Sequence, residues 1–356
     1  MQNPNTRIDP DPVDKQITFF QKMLKLAGLA GLDPFILILA FVIILANFWP
    51  EPGIQEGPFS LAELANYGVS FIFFFYGLRQ EPEKLKAGLS NWKLHLLIHF
   101  TTFLLFPLLA LLGKTLFETP DSEVLWLGIF FQATLPSTVS SAVVMVSIAG
   151  GNIPAAIFNA SISSMVGVFI TPLWMGLFLN SASESFDLSQ VFIKLIIQVI
   201  IPVILGILLH RKLGKIAEKY RKQMRYFDQT IILVIVYTSF SESFSQNMFA
   251  GFKVWNVIFL GLGLMVFFLL VLFIVNLISK ALHFSREDKI TAMFCGSKKS
   301  LVHGTVMAKV LFVNSVNTGI ILLPVMLYHT LQMVVASILA KKMARDAEER
   351  GRTEKG

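Results

Sequence analysis

The sequence predicts an all-α membrane protein with ten transmembrane helices in two inverted five-helix repeats. Three observations lead there. Hydrophobic residues make up 54% of the 356, charged residues only 15%, and mean hydropathy is +0.65. A soluble domain of this length needs far more polar surface. Ten apolar spans can be drawn, and Lys and Arg collect in every second loop. Two spans in matching positions of the two halves carry helix breakers.

Residues 1–32 read as a cytoplasmic tail. Asp9, Asp11 and Asp14, with Pro4, Pro10 and Pro12, argue against a cleavable signal peptide, whose head is basic. Ile17, Phe20 and Leu24 recur at helical spacing against Lys15, Lys22 and Lys25. That pattern fits a short interfacial helix over 17–32 or a solvated lead-in. The first repeat, 33–180, holds Phe35–Trp49, Leu61–Leu78, Leu94–Leu112, Val124–Ala149 and Ile153–Leu179. The second, 189–340, holds Val191–Leu209, Gln229–Met248, Val254–Leu282, Ile290–Val313 and Gly319–Ala340. Residues 341–356 form a second tail.

Of the 30 Lys and Arg, 24 lie in the tails, in the loops after spans 2, 6 and 8, and at Lys280 at the end of span 8. The opposite loops carry Glu51, Glu56, Glu118, Asp121, Glu123, Glu184 and Asp187. This bias places both termini in the cytoplasm, on a multi-pass protein of the inner membrane, and requires an even number of spans. It also removes nucleic acid as a partner despite the net charge of +7, because the basic residues sit between apolar spans. The lipid bilayer is the expected partner. One cysteine, Cys295, excludes an intrachain disulfide. There is no G-x-S-x-G elbow, H-E-x-x-H helix or phosphate-binding loop, and no loop between spans is long enough for a folded domain. These absences argue against an enzyme and against primary active transport by this chain alone. No cofactor is expected beyond Na⁺ or H⁺ as a coupling ion.

The breakers carry the chemistry. Span 4 contains Leu135-Pro136-Ser137-Thr138-Val139-Ser140-Ser141, and span 9 contains Cys295-Gly296-Ser297-Lys298-Lys299-Ser300. Proline removes a backbone donor and clashes with the preceding turn. Paired interruptions of this kind point to a transporter's binding site. Ser137, Ser140 and Ser141 share a helical face, as do Asn159, Ser163 and Gly167 in span 5. Hydroxyls, amides and freed carbonyls suit Na⁺ or a hydrogen-bonded solute; the same small residues also let membrane helices pack closely. Lys298 and Lys299 put charge where it costs roughly 3 kcal/mol per residue. A lysine there binds an anion, carries a proton, or stands where a metal cation would sit; the alternative is a structural pairing or snorkelling. Lys299 and His303 share one face, and Ser297, Ser300 and Gly304 another. Glu242 stands near the outer end of span 7, in an interfacial or a coupling role, and His99 and His329 are titratable or packing histidines.

At these residues the chain resembles the bile acid:sodium symporter family, most closely its orphan seventh branch and the bacterial relatives of that branch. The resemblance rests on Asn91-Trp92-Lys93-Leu94-His95-Leu96, Val139-Ser140-Ser141-Ala142-Val143, Gly150-Gly151-Asn152, Ala155-Ala156-Ile157-Phe158-Asn159, Ile170-Thr171-Pro172-Leu173, Lys298-Lys299-Ser300-Leu301 and Leu327-Tyr328-His329. It implies a panel of helices 1, 2, 6 and 7, a core of helices 3 to 5 and 8 to 10, broken helices 4 and 9 crossing in the core, and a substrate cleft between core and panel. It also implies sodium ligands, and these carry over incompletely. The family's Ser-Asn pair falls on Ser140 and Ser141, and its helix-5 hydroxyls fall near Ala156 and Ala160, beside Asn159 and Ser161. Its Glu and Gln at the helix 9 break fall on Phe294 and Lys298, and its helix-3 Gln on His99. Ser140, Ser141 and Asn159 remain as the candidate Na⁺ ligands. Two like charges about 4 Å apart repel by roughly 4 kcal/mol at an effective dielectric near 20, so Na⁺ beside a charged Lys298 is disfavoured. The expectation is a secondary transporter of a small organic anion, with Ser137, Thr138, Ser140, Ser141, Asn159, Ser163, His99, Ser297, Lys298, Lys299 and Ser300 as candidate binding residues. The rival expectation is a regulatory membrane protein that affects ion flux or glycan processing without moving a solute.

Overall fold

The structure is a computed structural model and describes residues 34–80, 91–117, 122–182, 193–194, 196–250, 253–312 and 315–353. The expected interfacial helix over 17–32 lies outside the described residues. Among the described residues the secondary structure is helical, with no strand. In chain order the helices are α1 (Pro34–Phe48), α2 (Glu51–Ile54), α3 (Leu61–Leu78), α4 (Trp92–Phe100, continuing through a π-helical turn Thr101–Leu105 into Phe106–Phe117), α5 (Glu123–Thr134), α6 (Ser140–Ala149) and α7 (Ile153–Ala182). They continue with α8 (π-helical Ile196–Ile200, then Ile201–Lys219), α9 (Arg221–Ser245), α10 (Val254–Ala281), α11 (Arg286–Ser297), α12 (Leu301–Leu311) and α13 (Thr318–Thr353).

Among the described residues, six stretches are long and apolar enough to cross a membrane: Leu61–Leu78, Trp92–Leu116, Ile153–Leu177, Ile196–Lys219, Val254–Ala281 and Thr318–Ala347. Pro34–Phe48, Glu123–Thr134 and Ser140–Ala149 are shorter apolar helices. α10 leaves Phe259, Leu262, Val266, Leu269 and Phe273 exposed along its length. Such an apolar outer surface belongs against lipid tails. Exposed Trp49, Trp92 and Trp255 sit at helix ends, where indole rings favour the headgroup region.

Local sequence sets several ends. Ser60, Asn91, Ser285 and Ser300 cap α3, α4, α11 and α12 by accepting from the N–H of Glu63, Leu94, Asp288 and His303. Gly150 ends α6 with φ +73°, a left-handed cap that glycine adopts without strain.

The helices sort into two packing groups. α1, α2, α3, α8 and α9 pack on one another, and α4 to α7 pack with α10 to α13. α9 bridges the groups through α12 and α13. Close approach in the first group depends on small residues. A methyl at Gly77 would overlap the carbonyl of Val203, and one at Gly206 the carbonyl of Phe74, so α3 and α8 touch backbone to backbone. On the other edge, Asp288 accepts from the amides of Asn91 (2.7 Å) and Asn152 (2.8 Å), tying α11 to the starts of α4 and α7. Arg79 and Asp228 form a 2.8 Å ion pair between α3 and α9.

Candidate functional site

The two breaker segments meet. Leu135–Val139 separates α5 from α6, Lys298–Ser300 separates α11 from α12, and Ser300 donates its backbone N–H to the carbonyl of Pro136 at 2.9 Å. The geometry follows from backbone groups that lack helical partners. Ala133 O would accept from Ser137 N in a continuous helix, but Ser137 N donates to Ser163 Oγ at 2.9 Å. Thr134 O accepts from Thr171 Oγ1 at 2.8 Å. Ala133 O and Leu135 O instead accept from Lys299 Nζ, at 2.6 and 2.9 Å.

The third acceptor of Lys299 comes from α4. There the π turn gives Phe106 N to Thr101 O, and the next residue is Pro107, which has no N–H. Thr102 O therefore lacks a backbone donor and takes Lys299 Nζ at 2.7 Å. Pro107 also frees Phe103 O, four residues before it, and Trp174 Nε1 fills that place at 2.8 Å. The Lys299 ammonium thus sits among three carbonyl oxygens, one face towards the Phe106 ring at 4.1 Å. Its side chain is 2% exposed. The C-terminal end of α5, negative by its helix dipole, faces the same charge.

The backbone of the second break is equally accounted for. Gln332 accepts from Lys299 N at 2.8 Å and donates to Lys299 O at 2.7 Å, holding both backbone polar groups of that residue. Tyr328 donates to Ser297 O at 2.8 Å. Ser300 Oγ caps α12 and lies 3.0 Å from His303 Nδ1. Lys298, buried beside it, reaches the thioether of Met333 at 3.6 Å.

The remaining candidates divide. Ser137, Thr138, Ser163, Asn159 and Ser297 are buried; Ser140 is exposed and Ser141 half-buried. Ser141 donates to Thr138 Oγ1 at 2.9 Å, and Ser297 Oγ to Met293 O at 2.6 Å. The stripe of Asn159, Ser163 and Gly167 supports the first break: Ser163 binds Ser137 N, and a methyl at Gly167 would strike the Pro136 ring. Asn159 Nδ2 donates to Ala155 O at 2.7 Å, and its oxygen lies 3.1 Å from His95 Nδ1. Both ends of that amide therefore have protein partners, while Ser140 is exposed. Both His99 ring nitrogens, Thr101 Oγ1, both amide atoms of Gln132, Ser137 Oγ and His303 Nε2 are buried with no hydrogen-bond partner among the described residues. Buried polar atoms seldom stay so. Gln332 and the carbonyls freed by Pro107 were absent from the sequence expectation; Pro107 was the signal, since it marks unpaired carbonyls upstream.

A helical bundle with an apolar outer surface defines an integral, multi-pass membrane protein. Sequence relatives specify it further. Residues 33–345 match the SBF-like CPA transporter family, and the chain belongs to that family, one of transporters rather than enzymes. It is 38% identical over 317 residues to an uncharacterized protein of Pseudomonas aeruginosa, covering 89% of this chain and 94% of the relative. It is 36% identical over 318 residues to the YfeH protein of Escherichia coli, covering 89% and 95%. Sodium/bile acid cotransporter 7-A of Xenopus laevis is 32% identical over 309 residues, covering 86% and 90%.

Proposed function

We propose that the protein is a secondary transporter that moves a small organic anion across the inner membrane by alternating access. In this reading α5–α6 and α11–α12 are the broken fourth and ninth of ten membrane crossings, the halves 33–180 and 189–340 are inverted repeats, and both termini are cytoplasmic. The two packing groups act as panel and core. The crossing of the two breaks carries the reading, because backbone interrupted inside a bilayer persists only where other groups satisfy it or a cavity opens. The unpartnered atoms of His99, Gln132, Ser137 and His303 support it: each costs about 1–3 kcal/mol while unsatisfied, a cost that water or solute removes when the groups separate.

The coupling ion differs from that of sodium-driven members. The Lys299 amine supplies three donors at the crossing, so Na⁺ is not needed there to satisfy the converging carbonyls. Uptake of a panel of labelled organic acids into proteoliposomes tests this, with Na⁺ and proton gradients imposed separately. The expected result is uptake that is indifferent to the Na⁺ gradient. Uptake that requires Na⁺ would refute the internal-donor part; absence of uptake for every acid, under either gradient, would refute the transporter.

A further inference from the structure

A second feature lies away from the crossing. At the end of the bundle carrying α2 and the start of α13, a cavity of about 740 Å³ opens between the two packing groups. Ligand sites fall in the range of roughly 300–1,000 Å³. Glu63 and Asn66 of α3 and Ser239 and Glu242 of α9 line one side; Lys309 of α12 lines the other. The sequence expectation noted Glu242 alone and gave no role to Lys309 or Glu63.

The charges face each other without closing into pairs. Lys309, Glu242 and Glu63 border the same space, yet among the described residues Lys309 makes no ion pair. Asn66 donates to Glu63 Oε1 at 3.3 Å and so steadies one carboxylate. Glu56 also borders the space, so three carboxylates oppose one ammonium. A simple anion would be repelled by the excess of acids, and a simple cation would leave Lys309 without a partner. A metal ion is no better served, since among the described residues no three His, Cys, Asp or Glu are grouped to hold one.

We propose that this cavity binds a small zwitterion, its anionic group on Lys309 and its ammonium on Glu242 and Glu63. Resting on the transporter reading, the site is where the solute first docks, and the transported anion carries a cationic group as well. Both charges of such a solute replace contacts that the protein's own groups leave open, and the half-buried position of Lys309, Glu63 and Glu242 keeps solvent screening incomplete.

The test is calorimetry on the full chain in nanodiscs. The probes are 3-aminopropanoate, 4-aminobutanoate and 6-aminohexanoate, against hexanoate and hexylammonium. At least one amino acid should bind about tenfold or more tightly than either single-charge probe. Lys309→Gln and Glu242→Gln should each weaken that binding about tenfold, with Lys309→Arg retaining it. Monodisperse elution of each variant excludes misfolding as the cause. Equal or tighter binding of hexanoate or hexylammonium overturns the proposal. So does absence of binding by all three amino acids, or binding unchanged in both Gln variants. Amino-acid binding without flux in proteoliposomes would uphold the site and refute the transporter reading. Organic-acid flux that Lys309→Gln leaves unchanged would do the opposite.

Discussion

Replacing Lys299 with alanine should cost the protein about 3–5 kcal/mol and make its stability depend on added cations. The ammonium donates to Thr102 O, Ala133 O and Leu135 O at 2.7, 2.6 and 2.9 Å. Hydrogen bonds with a charged partner contribute about 1.5–3 kcal/mol each. Against that stands the desolvation of a buried ammonium, several kcal/mol. The intact arrangement is therefore worth little net, but breaking it strands three carbonyls that neither α5 nor α4 can satisfy. Alanine also opens space where the side chain lay. Methylammonium or Na⁺ should enter, and a cation at 100 times its dissociation constant returns about 2.7 kcal/mol. The assay is thermal unfolding by intrinsic fluorescence in detergent, with Na⁺, choline or methylammonium at equal ionic strength. The wild type should unfold at the same temperature in Na⁺ and choline. Lys299→Ala should unfold at a lower temperature in choline and recover in methylammonium. Lys299→Met, which fills the stem without the charge, should stay low in all three. An unshifted midpoint for Lys299→Ala, or full stability in Lys299→Met, would refute the carbonyl-cage reasoning. So would Na⁺ stabilising the wild type as much as the variant.

Lys298→Met should retain full stability or gain about 1–3 kcal/mol by the same unfolding assay, because the buried Lys298 ammonium reaches only a thioether among the described residues. Gly206→Ala should destabilise by about 1–3 kcal/mol, since the added methyl forces α3 and α8 apart, while Gly263→Ala, with open space beside it, should shift the midpoint by no more than about 0.5 kcal/mol. Asp288→Ala should lose about 2–4 kcal/mol by stranding the amides of Asn91 and Asn152, and faster proteolysis near residue 91 would report the loosened start of α4.

Much of the architecture was legible in the chain. Hydropathy marked the membrane class, because lipid admits only apolar surface. Pro136 and the Gly296–Ser300 run marked the breaks, because a missing N–H and weak helix formers act locally. The caps at Ser60, Asn91 and Ser285 act within three residues for the same reason. The distribution of charge left the two lysines equivalent.

What separates Lys298 from Lys299 is tertiary. Both lie in the non-helical break, where successive side chains of extended backbone point to opposite sides, and only the packing of α4 and α5 against the break decides which amine meets three carbonyls and which meets a thioether. Gln332 lies 33 residues from the residue it holds, Thr102 lies 197 from its lysine, and nothing local in the sequence couples them. Lys309, Glu242 and Glu63 likewise come from three helices of the two packing groups, and only their assembly around one cavity makes them a site. Local steric and hydrogen-bond rules wrote the helices and their breaks into the sequence. Partners for unpaired groups across the chain were decided by folding, because each depends on distances that no single segment contains.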